Sequence, residues 1–486
     1  MQNMIGIALS MAYILLVLAV ATVIARINKG ATEKSRKLVH ILVGNWVFIT
    51  PMFTELWAVL LVPFSFIIIN SLSLKYKLIP AMERNDDSLG TVYYAISMFV
   101  LSGAGFILGW KTLPFIGLLI MAYGDGLAAI AGKRWGLSKP FSFAPQKTLV
   151  GSAVVAVAAF IITAGCIFAF ASPAQLEVTG WPMVLVIAAA TAVFSAFIEL
   201  TGSKGCDNLI LPIGSGLFAT LCLYFGSMGY YLYLCIAAAI LIFAYKLRAI
   251  TPDGIVAALL TAATLYALGG MWIGASLLVF FILGSGVSRL RNSHKQKAEQ
   301  LQELGGPRNW KQVLCNSLPA CVLLWISVFY PQPSLLLLSF GVFCAAAADT
   351  FSSELGMMSK GKVYNILNGK PMQRGLSGGV SLTGLAAGLT GSLLLAILAL
   401  PEFGWKGVIF VGALGFLGSV IDSILGAAFQ RKYLGTGGEM QDRPHYHNEQ
   451  PLKGYNFITN SAVNLISLSL VSLCGHLVYF MTFLPK

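Results

Sequence analysis

Apolar runs of about 17–22 residues recur along the whole chain, separated by short polar or basic connections, and each could cross a hydrocarbon layer as a helix. The pattern predicts sixteen spans, at approximately 4–25, 38–53, 55–72, 91–110, 112–132, 148–171, 182–202, 209–226, 229–246, 251–269, 271–288, 312–330, 333–356, 378–400, 406–429 and 458–482. Several are short or nearly adjoin, so the expectation is an all-α polytopic integral membrane protein with about 14–16 transmembrane helices. The first run has no basic leader and no cleavage site, which reads as a retained helix rather than a signal peptide.

Composition agrees. Of 486 residues, 57% are hydrophobic and 10% charged, with a mean hydropathy of +0.79. The net charge of +13 does not point to nucleic acid, because its distribution follows the spans. With the N-terminus outside, alternate connections fall on one side and hold 29 of the 32 Lys and Arg residues, all but Lys111, Lys406 and Lys486. That asymmetry assigns them to the cytoplasmic face. The eight cysteines are scattered, with no CxxC pair, and suit small core positions rather than disulfides or zinc.

A few ionisable residues interrupt the apolar runs, and these carry the chemistry. Asp125 lies in "GDGLAAIAGKRWG" (124–136), where a charge in a membrane helix costs roughly 3 kcal/mol on insertion scales. It is followed by Gly132 at seven positions, Lys147 at twenty-two and Gly151-Ser152 at twenty-six and twenty-seven. Asp349 in "ADTFSSELG" is followed by Gly356 at seven, Lys370 at twenty-one, Arg374 at twenty-five and Gly375 at twenty-six. Glu199 lies 74 residues after Asp125, and Asp422 lies 73 after Asp349. All four carboxylates approach the cytoplasmic end of an out-to-in span, so the repeat is parallel rather than inverted. The boundary is placed near "YKLRAITPDG" (245–254), giving halves 1–246 and 247–486.

Carboxylate and amide oxygens at helix ends suit Mg²⁺ shared with substrate phosphates, and Lys, Arg and helix-opening Gly-Ser suit the phosphates themselves. The combination fits phosphoryl transfer, which rests on positioning and charge neutralisation. Neither a GxxxxGK[ST] loop nor a protein-kinase motif set is present. The glycines of "GLAAIAG" serve equally as helix-packing positions or as room for a phosphate. In "SRKLVHILVG" (35–44), Arg36 and His40, or Lys37 and His40, share a helix face; they read as a snorkelling anchor, or as phosphate ligands and a base. His445 and His447 in "RPHYHNE" lack further ligands for a metal site.

"RKLVHILVGN", "GDGLAAIAGKRWG", "KTLVGS" and "IELTGSKGCDNLILP" resemble the family of dolichol kinases, phytol kinases and CTP-dependent diacylglycerol kinases, over residues 35–213. "ADTFSSELG", "GLSGGVSLTG", "GSVIDSILGAAFQ" and "TNSAVN" resemble the phytyl-phosphate kinase family over about 250–482. In the first half the resemblance implies nucleotide and metal handling by Asp125, Lys133, Lys147, Glu199, Asp207 and Asn208, with Arg36, Lys37, His40, Gly151 and Ser152 as further candidates. In the second it implies Asp349, Glu354, Lys370, Asp422, Asn460 and Asn464, with Arg374 and Ser377 as phosphate contacts. The metal candidates are Asp125, Glu199 and Asp207, and Asp349, Glu354 and Asp422. Arg374 and Leu376 depart from the family pattern, which has a small hydroxyl residue near Leu376. The implied activity is a bifunctional isoprenoid kinase, alcohol to monophosphate to diphosphate, with CTP as phosphate donor, Mg²⁺ as cofactor and a membrane isoprenoid as substrate. A secondary transporter, or a diacylglycerol or dolichol kinase with a non-catalytic second half, is the alternative. One-sided clustering of the polar groups and a parallel repeat speak against transport.

Overall fold

The computed structural model describes residues 1–27, 33–76, 89–202, 205–303, 306–435, 438–446 and 449–483. The chain is helical, and its first division is into two compact units, Met1–Ser227 and Met228–Lys486. The first unit contains α1 (Gln2–Ile27), α2 (Glu33–Gly44, running on as a 3₁₀ turn over Asn45–Met52), α3 (Leu56–Tyr76), α4 (Gly90–Leu108), α5 (Thr112–Leu119), α6 (Gly126–Trp135), α7 (Leu149–Phe170), α8 (Pro173–Thr179), α9 (Trp181–Thr201) and α10 (Asp207–Phe225). The second contains α11 (Met228–Lys246), α12 (Pro252–Arg289), α13 (Ser293–Glu299), α14 (Trp310–Phe329), α15 (Pro333–Met358), α16 (Leu382–Ala396), α17 (Leu400–Ala428) and α18 (Asn460–Phe483). Two small antiparallel ladders, β1 (Tyr364–Asn365) with β2 (Gly379–Val380) and β3 (Tyr433–Leu434) with β4 (Met440–Gln441), lie in its polar connections.

Thirteen helices among the described residues are long and apolar enough to cross a membrane, and two of them fold back. Residues 258 and 281 of α12 stand about 35 Å apart on a straight helix. Instead Ala258 and Phe281 pack in one core cluster with Leu241, because the backbone leaves the helical region at Gly270. Likewise the α16–α17 run reverses at Gly404, which lets the Ser392 hydroxyl donate to the Gly412 carbonyl at 2.7 Å. Counting both arms of each hairpin and the shorter apolar stretch Lys37–Met52 gives sixteen segments, in the order the hydrophobic pattern predicts.

The unit boundary differs from the expected 246/247. Helix α11 belongs with the second unit, where the Tyr233 hydroxyl donates to the Gly274 carbonyl at 2.9 Å and Leu241 and Ala244 join the α12 core. The connection at 226–228 carries no charge to mark it. With the division there, each unit holds eight segments. Asp125 and Asp349 fall on the fifth, Glu199 and Asp422 on the seventh, and Asn208 and Asn460 at the start of the eighth.

Packing repeats as well. Thr148 caps α7 by accepting the Gly151 N–H, and Ser381 caps α16 by accepting the Gly384 N–H at the same offset. Gly132 lies close against Gly151, and Gly356 against Gly384, where a side chain would crowd the neighbouring helix. The structural partner of Gly151 is therefore Gly384, not Gly375 as the spacing suggested. From Gly132 to Thr148 is sixteen residues, and from Gly356 to Ser381 is twenty-five, because the second unit inserts the β1–β2 hairpin. That insertion puts Val380 where the first unit has Lys147 and carries Lys370 to an exposed turn.

Candidate functional site

In the first unit α5 and α6 form one span, Thr112–Trp135, interrupted by a π-helical turn over Ile120–Asp125. Such turns trade hydrogen-bond geometry for local reshaping and are frequent at functional sites. This one ends on buried Asp125. From α2, Lys37 donates to Asp125 Oδ2 at 2.5 Å, and His40 Nε2 lies 3.5 Å from the same oxygen and 3.2 Å from the Met121 carbonyl. Tyr94 of α4 stacks on the His40 ring at 4.5 Å, and its hydroxyl donates to the His40 carbonyl at 3.1 Å. A lysine thus offsets the charge that the apolar run could not hold alone.

Beside this cluster, Lys147 is ion-paired with Glu199 of α9, and its Nζ lies 3.9 Å from Asp207 at the start of α10. Burial acts to lower the Lys147 pKa, but Glu199, then Asp207 and Asp125, outweigh it and hold the ammonium above its ordinary value. Asp125, Lys147, Glu199 and Asp207 therefore share one electrostatic site. Among the other candidates, Asn208 donates to the Gly90 carbonyl at 2.7 Å, and Gly151 and Ser152 bond to Thr148 at the α7 cap. Lys133 is exposed at the end of α6, and the Arg36 side chain lies outside the described residues.

The second unit is arranged differently. Asp349 of α15 and Asp422 of α17 are neighbouring carboxyls, and Asp422 Oδ1 accepts from Ser467 at 3.0 Å. They line a cavity of about 570 Å³, together with Asn460, Asn464 and the 374–379 loop. The buried Asn464 Oδ1 atom has no hydrogen-bond partner among the described residues. Glu354 also lines the cavity, but it is engaged by Lys295 at 2.7 Å and by Ser288 at 2.6 Å. Lys370 is not among the lining residues.

Among the described residues no three His, Cys, Asp or Glu side chains converge as a metal-ligand group. The expected trios are not assembled, because Lys147 intervenes between Glu199 and Asp207 and Glu354 turns to Lys295. What the cavity does offer is a hard oxygen set: the Asp349–Asp422 pair and the orphaned Asn464 oxygen. His445 Nε2 lies 3.1 Å from the Leu434 carbonyl oxygen, and His447 lies outside the described residues.

Several cavity residues went unmarked by the sequence. Asp442 is buried, and its Oδ2 accepts from both the N–H and the hydroxyl of Ser377, at 2.9 and 2.5 Å. Lys432 donates to the Ser377 carbonyl at 2.9 Å. Together they pin the loop in which Gly375 and Gly378 take φ of +95° and +87°, a conformation that glycine alone adopts cheaply. Burial pushes the Asp442 carboxyl above its usual range, with the Ser377 bonds and Lys432 acting against it. Burial lowers the Lys432 pKa, opposed by Asp442. Arg248, Arg289, Arg291 and Arg308 also face the cavity beside Arg374. A capping box, Asn309 with Gln312, was the one local signal near Arg308.

Residues 235–472 match a family described as Integral membrane protein DUF92, and they lie wholly in the second unit. The phytol kinase of Synechocystis sp. is 33% identical over 220 residues, covering 44% of this chain and 90% of that protein. Protein PGR of Arabidopsis thaliana is 30% identical over 256 residues, covering 47% and 88%. An uncharacterized membrane protein of Methanocaldococcus jannaschii is 29% identical over 235 residues, covering 48% and 87%. Each of these relatives thus spans less than half of this chain. No solved structure matches it.

Proposed function

Because the chain belongs to the phytol kinase family of integral membrane proteins, we propose that it is a membrane prenol kinase that runs two consecutive phosphorylations, one in each unit. The first unit converts a prenyl alcohol to its monophosphate, and the second converts the monophosphate to the diphosphate. The observation that carries this reading is the recurrence of acidic residues on the fifth and seventh segments of both units, in different electrostatic surroundings. The bias of Lys and Arg toward one set of connections supports both sites facing the cytoplasm, with the N-terminus outside.

In the first unit the prenol hydroxyl attacks the terminal phosphorus of a nucleotide, CTP by resemblance. One O–P bond forms, the bond to the leaving nucleoside diphosphate breaks, and the hydroxyl proton passes to Asp125 or His40. Tyr94 and the Met121 carbonyl hold the imidazole against Asp125. Lys37 and Lys147 neutralise phosphate charge. In the second unit the nucleophile is a phosphate oxygen, already anionic, so no base is needed and cation placement matters more. Mg²⁺, when bound, would supply that neutralisation, and Asp349, Asp422 and the Asn464 side-chain oxygen are the residues that would hold it in the second unit.

The test is thin-layer analysis of the full chain in liposomes, with labelled nucleotide and a panel of farnesol, geranylgeraniol, phytol and their monophosphates. Labelled monophosphate followed by diphosphate is expected. Ion-gradient-driven uptake without any labelled lipid would favour the transporter and end the kinase reading.

A further inference from the structure

The second unit holds one arginine that is built like a receptor. The Arg308 backbone is clamped on both sides, its N–H donating to the Ala249 carbonyl at 2.9 Å and its carbonyl accepting from the Thr251 N–H at 3.0 Å. The guanidinium lies over Phe280 and Phe281, 5.3 and 5.7 Å from the ring centroids. A side chain at Gly284 would come within 2.7 Å of its Nη2, so the glycine makes the space that it fills. Among the described residues no carboxylate lies within ion-pair distance of it. The fork therefore keeps its donors for something else, and a planar guanidinium matches the oxygens of a phosphate.

Its position says which phosphate. Arg308 lines the 570 Å³ cavity that contains Asp349 and Asp422, and it also lines a second space of about 30 Å³ walled by Ala262, Leu277, Phe281 and other apolar side chains. It stands where a polar chamber meets an apolar slot. The apolar space admits little more than one water-sized group, so it is no channel for a tail; it marks the side on which an anion held at Arg308 meets apolar side chains, a setting that suits the head of an amphiphile better than a nucleotide. We propose that Arg308 is the receptor for the phosphate of a prenyl monophosphate, and that it makes the second unit select the monophosphate over the alcohol. This rests on the reading of the second unit as a prenyl-phosphate kinase.

The experiment is equilibrium binding to the full chain in detergent, which needs no turnover, with geranylgeranyl monophosphate, geranylgeraniol and CTP as separate probes. The background is Asp125→Asn, so that the first unit consumes nothing. The chain should bind the monophosphate at least tenfold tighter than the alcohol, and Arg308→Gln should erase that preference while leaving CTP affinity within twofold. Arg308→Lys, which keeps the charge but loses the fork, should fall between and covers the case of a poorly folded Gln variant. The proposal is overturned if the unsubstituted arginine shows no preference, if Arg308→Gln retains it, or if CTP affinity falls instead. Intact selectivity without any diphosphate formed would sink the kinase reading alone and leave the receptor standing.

Discussion

In the first unit each buried carboxylate meets a lysine, Asp125 with Lys37 and Glu199 with Lys147, and the lysines offset most of the buried charge. In the second unit the carboxylates at the same two segments meet each other, and the nearby lysine, Lys295, is taken by Glu354. The cause is visible in the chain. Val380 stands where Lys147 would be, and the second segment begins "PDGIVAALL" instead of "RKLVHILVG". Two neighbouring carboxyls call for a shared proton or a cation between their oxygens, and several arginines line the same cavity. The difference teaches how one helical frame could serve two acceptors. A neutral hydroxyl suits a site whose buried charge is mostly offset, with a histidine beside the aspartate, and an anionic phosphate suits a site that concentrates cations.

The comparison can be broken at several strengths. Asp125→Asn removes one of the two proposed acceptors for the hydroxyl proton and the partner of Lys37; alcohol phosphorylation should fall roughly 10²–10³-fold, with the monophosphate step within twofold, read by labelled-product formation. Lys147→Met leaves Glu199 buried and unpaired, and should cost about 3 kcal/mol, the low end for buried pairs because the lysine is partly exposed. Detergent-phase melting should show that loss, and Lys147→Met with Glu199→Gln should recover most of it. The smallest effect concerns the loop anchor Asp442. Its folded pKa is raised by burial, so its contribution is fully present below the ordinary aspartate value and is lost as pH rises through the folded pKa. The chain should therefore gain stability as pH falls from neutrality through that window, and Asp442→Asn should flatten the gain in melting curves taken across pH.

The sixteen segments were legible because each apolar run is long and its hairpin glycines, Gly270 and Gly404, sit between runs. Asp125, Glu199, Asp349 and Asp422 were legible because a charge inside such a run is conspicuous. Register was not. Fixed spacing matched Lys147 to Lys370, and only the paired caps at Thr148 and Ser381 reveal the nine-residue insertion between them. Arg308 and Asp442 lie in polar connections where one charged residue resembles another. Their roles depend on contacts far along the chain, Arg308 with Ala249 and Thr251, and Asp442 with Ser377. The family resemblance placed Glu354 among the metal ligands, but its partners Ser288 and Lys295 are over fifty residues away.

The central claim is that the two units run successive steps independently. It is tested most directly by giving Asp349→Asn a prenyl alcohol and labelled nucleotide in one vessel and following the products over time. The account predicts that monophosphate forms at the unsubstituted rate and accumulates, with no diphosphate. Diphosphate forming as before, or no labelled lipid of either kind, would contradict it.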